Sequence, residues 1–373
     1  MTNIAAHLTN RNLSVEKAAA KAGMTMERFQ QVAGGAKATL AEVRGIAKAL
    51  RVPVSSLLER VPAEPIRMLF RQTLDQREAV EVASHVDVVS SQVRDVLLVA
   101  RGMSSDLIWL DLFKGIEARL DAAEEFAALF RRAFAELDDV DPFPNLPQIL
   151  AELGVHVLFS RDPQIEGVSA IVEDRALMII GARTFKPRML FTMAHELGHL
   201  VAHHDTRRAG YAHLDKEVDG LHAPRRLEEK FADAFASCVL LPRHGVLSAL
   251  KAVRDQLGIA KQPLGAIEIA WIAHIFHVSF EVAARRFEGL GLLPPSGARA
   301  FYQRLQDDFS NPEKFAASVD IPPRPDLTIE TSPALVKAAA AMVRAGKLSI
   351  GKAAELLNVP VSSLVVANAE IGA

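Results

Sequence analysis

The chain has 373 residues, half of them apolar and 24% charged, and a formal net charge of −2. That length allows two or three domains with buried cores, and the near-balanced charge singles out no class of partner for the molecule as a whole. Cys238 is the one cysteine, which excludes an intrachain disulfide and suits a reducing compartment. No apolar run nears the ~20 residues of a membrane span, and the first residues lack the charged-then-apolar order of a secretory signal, so a cytoplasmic protein without membrane contact is expected.

Residues 1–62 carry nine basic and four acidic side chains, a local excess of five positive charges that permits contact with nucleic acid. Ser14 is placed to cap a helix over 15–22 that Gly23 stops, and Thr25 to cap a second over 26–32. A third is expected over 40–50, followed by a last turn from Pro53 to near Leu58. Two short helices joined by Ala-Gly-Met have the proportions of a helix-turn-helix. The stretches Leu13-Ser-Val-Glu-Lys-Ala-Ala-Ala-Lys-Ala-Gly-Met-Thr and Leu40-Ala-Glu-Val-Arg-Gly-Ile-Ala-Lys-Ala-Leu-Arg-Val-Pro resemble the helix-turn-helix domain of phage-repressor (XRE-type) regulators. That resemblance implies double-stranded DNA as a partner, with Thr25, Glu27, Arg28, Gln30 and Gln31 facing the groove. A small helical bundle used for protein contact is the alternative.

Residues 63–137 read as mostly helical, with apolar recurrence over 79–99 and a stripe of Leu110, Phe113, Ile116, Leu120, Phe126, Leu129, Phe130 and Phe134 across 107–137. They suggest a connecting bundle or a homodimer contact. Pro142, Pro144 and Pro147 mark a boundary, with Pro147 suited to a first helical turn. Three strand-like runs follow at 155–159, 168–172 and 176–180, the last two forming an antiparallel hairpin around the polar turn at 173–175.

The next helix carries Phe191-Thr-Met-Ala-His195-Glu196-Leu197-Gly198-His199. His195 and His199, four apart, lie about 40° from one another around the axis and project from one face. Two such nitrogens can bind one zinc ion at about 2.0–2.1 Å, and Glu196 can take the proton of a metal-bound water. His203 stands one turn further on nearly the same face, able to hydrogen-bond near the site, and the small Ala194 and Gly198 allow another element to approach closely. A second helix over 226–241 places Glu229 and Asp233 four apart. One of them can complete a His2Glu ligand set while the other accepts a ring N–H. Glu229 is favoured as the ligand, Asp233 as the acceptor, and Glu228 is the competing ligand, turned about 100° away. Tyr211 and His213, on a loop expected over 205–224, are candidates to stabilise an oxyanion.

The motif with the downstream Glu229…Phe235-Ala…Leu240-Leu-Pro242 resembles the ImmA/IrrE family of zinc metallopeptidases over about 142–290. The resemblance implies His195, His199 and Glu229 as zinc ligands, Glu196 as general base, and a cognate helix-turn-helix repressor as the protein cleaved. In zinc peptidases of this general plan a substrate pairs with a sheet edge as an added strand, for which 168–172 or 176–180 are the candidates. A helix over 265–276, Ser279 as a cap and a helix to Phe287 form a further helix-turn-helix-like pair. Near the end, Leu348-Ser-Ile-Gly-Lys-Ala-Ala echoes Leu13-Ser-Val-Glu-Lys-Ala-Ala, and Val359-Pro-Val-Ser-Ser-Leu364 echoes Val52-Pro-Val-Ser-Ser-Leu57, which suggests a small helical module for partner docking.

An α+β, predominantly helical protein is expected. Its parts are an XRE-like domain at 1–62, a helical connection at 63–140, a zincin-like peptidase domain at 141–292 and a C-terminal helical module at 293–373. The leading function is a zinc-dependent endopeptidase acting as a transcriptional or stress-response regulator. The alternative is a DNA-binding regulator or antitoxin-like partner whose peptidase-fold domain senses or docks without cleaving. A zinc hydrolase acting on a small molecule has no supporting motif.

Overall fold

The computed structural model describes residues 14–33, 36–50, 83–103, 107–114, 116–135, 137–162, 165–172, 175–203, 211–216 and 227–370, and singly Ile4, Val52, Val54 and Leu57. The turn expected from Pro53 to Leu58 and the helical reading of 63–82 fall wholly or largely outside these residues.

Helices α1 (Val15–Ala22), α2 (Met26–Ala33) and α3 (Leu40–Leu50) form where the caps predict them. Ser14 Oγ accepts from Lys17 N, Gly23 closes α1 at φ 69°, and Thr25 Oγ1 accepts from Arg28 N. Phe29, Val32, Ile46 and Leu50 are fully buried in a core of this segment's own.

Helix α4 (Ala83–Ala100) follows, and then the stripe at 107–137 departs from a continuous helix. Residues Ile108–Phe113 and Leu120–Ala122 make two 3-10 turns, and only Ala123–Phe134 (α5) is α-helical. The apolar spacing survives because packing, not periodicity, uses it. Trp109 meets Phe130 and Phe134 edge-on, and Phe113 stacks on Phe126. These rings share one core with Phe231, Phe235 and Phe276, so the core spans both sides of the divisions expected at 140 and 292.

After α6 (Leu146–Glu152), with Pro147 in its first turn, come β1 (Val155–Ser160), β2 (Ile165–Val172) and β3 (Arg175–Gly181). The β2–β3 hairpin is antiparallel with Val172 opposite Arg175, and β1 joins β3 in parallel. A further strand, β4 (Tyr211–Lys216), pairs antiparallel with β2 and gives the order β1-β3-β2-β4. Tyr211 and His213 are therefore on a strand and not a loop. The edge assignment is also corrected: both hairpin strands are interior, because β4 covers the side of β2 that the hairpin alone would leave open.

The sheet is covered on both faces, and this explains strands that are apolar almost throughout. On one face lie α7 (Lys186–His203), with Pro187 in its first turn, and α8 (Leu227–Leu240), part of the large core. That core continues through α9 (Arg243–Leu257), α10 (Ala266–Ile275), α11 (Phe280–Gly289), α12 (Gly297–Phe309) and α13 (Pro312–Ser318). The α10–α11 pair turns through 109°, with Ser279 capping α11. On the other face, Leu158, Val168, Ala170, Leu177 and Ile179 pack against α4, α14 (Pro333–Arg344), α15 (Ile350–Leu357) and α16 (Val361–Glu370). Helices α14–α16 of the C-terminal module, with α4, are thus the sheet's second cover. The module also closes the open side of β1: Val157 N donates to Ser332 Oγ and Val157 O accepts from Ser332 N, while Asn358 Nδ2 donates to Phe159 O. No single helix among the described residues is long and apolar enough to cross a membrane.

Candidate metal centre

Helices α7 and α8 approach closely because Gly198 has no side chain. A Cβ there would lie 3.0 Å from Ala232 Cα and 3.2 Å from Phe235 Cδ1. That approach sets Glu229 opposite the two histidines. His195 Nε2 and His199 Nε2 are 3.1 Å apart, His195 Nε2 is 3.5 Å from Glu229 Oε2, and His199 Nε2 is 3.6 Å from Glu229 Oε1. Tetrahedral zinc with bonds of 2.0–2.1 Å separates its ligand atoms by roughly 3.3–3.4 Å. The three side chains fit such an ion in spacing and in donor type, two imidazoles and one carboxylate.

Asp233 Oδ1 lies 3.0 Å from His195 Nδ1. When Nδ1–H donates to this carboxylate, the Nε2 lone pair points at the other two donors. His195 and His199 are buried, while Glu229 is half-buried and faces them. Glu228 is exposed, so the structure brings Glu229 and not Glu228 to the pair. His203 ends α7, and its side chain lies outside the described residues, as do those of Tyr211 and His213.

Glu196 is fully buried over β2. A Cβ on Gly167 would overlap Glu196 Oε1 and lie 2.8 Å from Thr192 Cγ2. Sequence reasoning missed Gly167, although an isolated glycine in a strand pattern signals a close approach by another group. It also missed two buried arginines that hold the C-terminal end of α8. Arg131 donates to the carbonyls of Val239, Asp138 and Asp141, and Arg286 to the carbonyl of Leu241 and to Cys238 Sγ. Burial pushes the Cys238 thiol up to about 11, so it stays protonated at neutral pH.

Residues 150–288 match the peptidase family described as the IrrE N-terminal-like domain. The IrrE-like segment begins inside α6, ends one residue short of the end of α11, and contains the whole sheet, His195, Glu196, His199 and Glu229. The match supports a metallopeptidase-type function. No match to a curated protein accompanies it.

Of the candidate DNA-facing residues, Arg28 is committed within the helical unit. Its Nε and Nη2 donate to Glu42 at 2.7 and 3.1 Å, and Nη2 also donates to Lys37 O. The Arg28 hydrogen bonds, reinforced by Thr39 N–H, hold the Glu42 carboxyl down at about 2. Thr25 caps α2 through its hydroxyl, and Glu27, Gln30 and Gln31 lie on the same helix.

Proposed function

We propose that the chain is a zinc-dependent endopeptidase with a regulatory role, and that its substrate is a helix-turn-helix repressor. The observation that carries this reading is the convergence of His195, His199 and Glu229 inside a segment that matches a peptidase family. Zinc, when bound, supplies a Lewis acid that polarises the scissile carbonyl and lowers the pKa of a water. His195 and His199 hold it through Nε2, Glu229 through its carboxylate, and Asp233 keeps His195 in the tautomer that can do so. Glu196 takes the proton of the attacking water and passes it to the leaving amine. Ser332 and Asn358 close the β1 edge, which leaves β4 as the edge for a substrate strand. Residues 1–62 bring the enzyme to DNA through α2, with Glu27, Gln30 and Gln31 as base-facing side chains and Thr25 and Arg28 chiefly holding the helix.

The test uses the full chain with dye-labelled casein and with any helix-turn-helix repressor encoded beside its gene. Glu196→Gln is expected to keep one zinc per chain and to lose cleavage by about 10²–10⁴-fold. Glu229→Ala is expected to lose the metal. An unchanged cleavage rate in Glu196→Gln removes the general-base assignment. Salt-sensitive DNA binding without any zinc-dependent cleavage would replace the reading with that of a non-cleaving regulator.

A further inference from the structure

A cleft of about 940 Å3 is lined by His195 and Asp233 together with further residues of α7, α8, α11, α12 and α13. Phe185, Phe191, Ala234, Phe280 and Val282 give it an apolar lining. The charges along it are largely matched in pairs. Arg188 binds Glu166, Arg285 binds Glu281, Arg286 binds Glu124, and Glu313 binds Arg324. Lys230 lines it and makes no ion pair among the described residues.

Resting on the peptidase reading above, we infer that this cleft is the subsite for the polypeptide on one side of the scissile bond, and that it selects bulky apolar side chains there. The first argument is continuity. The cleft shares His195 with the metal triad and is also lined by Asp233, the hydrogen-bond partner of His195, so a chain whose scissile carbonyl lies at the triad runs directly into it. The second is size. The volume is near the top of the ~300–1,000 Å3 range of ligand pockets, which suits several residues of an extended chain and exceeds what one side chain fills. The third is electrostatic. A charged substrate side chain would lose hydration among groups already paired with one another, whereas an aromatic or large aliphatic one loses nothing and buries its surface. Tyr302, Asn311 and Pro312 also line it and lie beyond residue 288, outside the matched segment. The selectivity is therefore set in part by residues outside that segment.

The experiment immobilises zinc-loaded full-length Glu196→Gln protein, which holds peptides without cutting them, and passes over it a pool of random dodecapeptides. Bound peptides are expected to be enriched at least tenfold in Phe, Tyr, Trp, Leu or Met, in line with discrimination of about 10–200-fold for apolar pocket contacts. Adding Ala234→Phe, which fills the cleft from α8, is expected to abolish the enrichment while the zinc content stays at one per chain. Tyr302→Ala, on a different wall, is expected to shift it towards larger side chains. No apolar enrichment, or the same enrichment in both variants, overturns the inference. Cleavage of the pool by the wild-type chain is followed in parallel. Cleavage without selectivity sinks the subsite and keeps the peptidase. Selective binding without cleavage keeps the subsite and sinks the peptidase.

Discussion

Two single residues carry consequences that side-chain chemistry alone would not suggest. Gly167 contributes nothing but space, and the Glu196 carboxylate occupies that space. Gly167→Ala is expected to push the carboxylate and Thr192 aside, lowering kcat about 10²-fold, the scale of a misplaced general base, with zinc content and KM little changed. Metal analysis and steady-state kinetics on one preparation check this, and loss of zinc in the variant would mean that the glycine supports the fold and not the base. His156 is the second case. It is buried on β1, and burial, reinforced by Arg175, pushes its pKa down to about 4. The unfolded chain, with the ordinary value near 6.5, therefore binds the proton first. The neutral ring's contribution is fully present above pH 6.5 and is lost as pH falls from there towards 4. By pH 5 the loss is about 2 kcal/mol. His156→Leu is expected to be less acid-sensitive than the parent by that amount in urea melts at pH 7.5 and 5.0, and equal pH dependence in the two proteins would remove His156 from the account.

At the scale of elements, the site is a property of the α7–α8 pair. Each helix supplies part of the candidate ligand set, and Gly198 fixes how near they come. Gly198→Leu is expected to separate the helices by an ångström or more, since a buried side chain there has no room without backbone movement. Zinc affinity should fall while His195, His199 and Glu229 remain in the sequence. Titration with a competing chelator measures it, and wild-type affinity would show that the ligands are held independently of the helix crossing. The distinction matters because the motif places only two donors. The third arrives through packing.

For the whole molecule, the C-terminal helices complete the fold. α14, α15 and α16 bury one face of the sheet, and Ser332 and Asn358 close its β1 edge. A chain ending at residue 328 would expose Leu158, Val168, Leu177 and Ile179 along with an unpaired strand edge. It is expected to aggregate or melt well below the full chain, and a soluble truncation with an unchanged Tm would show that the sheet does without this cover. Shared helix-start chemistry accounts for part of the echo between the segments after Ser14 and Ser349. Both serines accept from the N–H three residues on, Lys17 and Lys352, and both helices end on a left-handed residue, Gly23 and Asn358. The two segments nevertheless serve different cores.

Local interactions made part of this protein readable from its sequence alone. Caps at Ser14, Thr25 and Ser279, the hairpin between β2 and β3, and the four-residue spacings of His195 with His199 and of Glu229 with Asp233 all depend on neighbours within a few residues. Such neighbours act in the same way whatever the rest of the chain does. What only the tertiary structure decided depends on distant partners. β4 is a strand because it pairs with β2, although its own residues suggested a loop. The aromatic stripe at 107–137 breaks into two 3-10 turns and a helix because its rings fill one core with α8. The space over Gly167, the cover formed by α14–α16, and the cleft lined by Tyr302 each bring together residues far apart in the chain, and such separations carry no periodic signal. The sequence alone pointed to His195, His199 and Glu229 as candidate donors and Glu196 as candidate base, while packing brought the three donors together, made room for Glu196 over Gly167, and opened a cleft beside them.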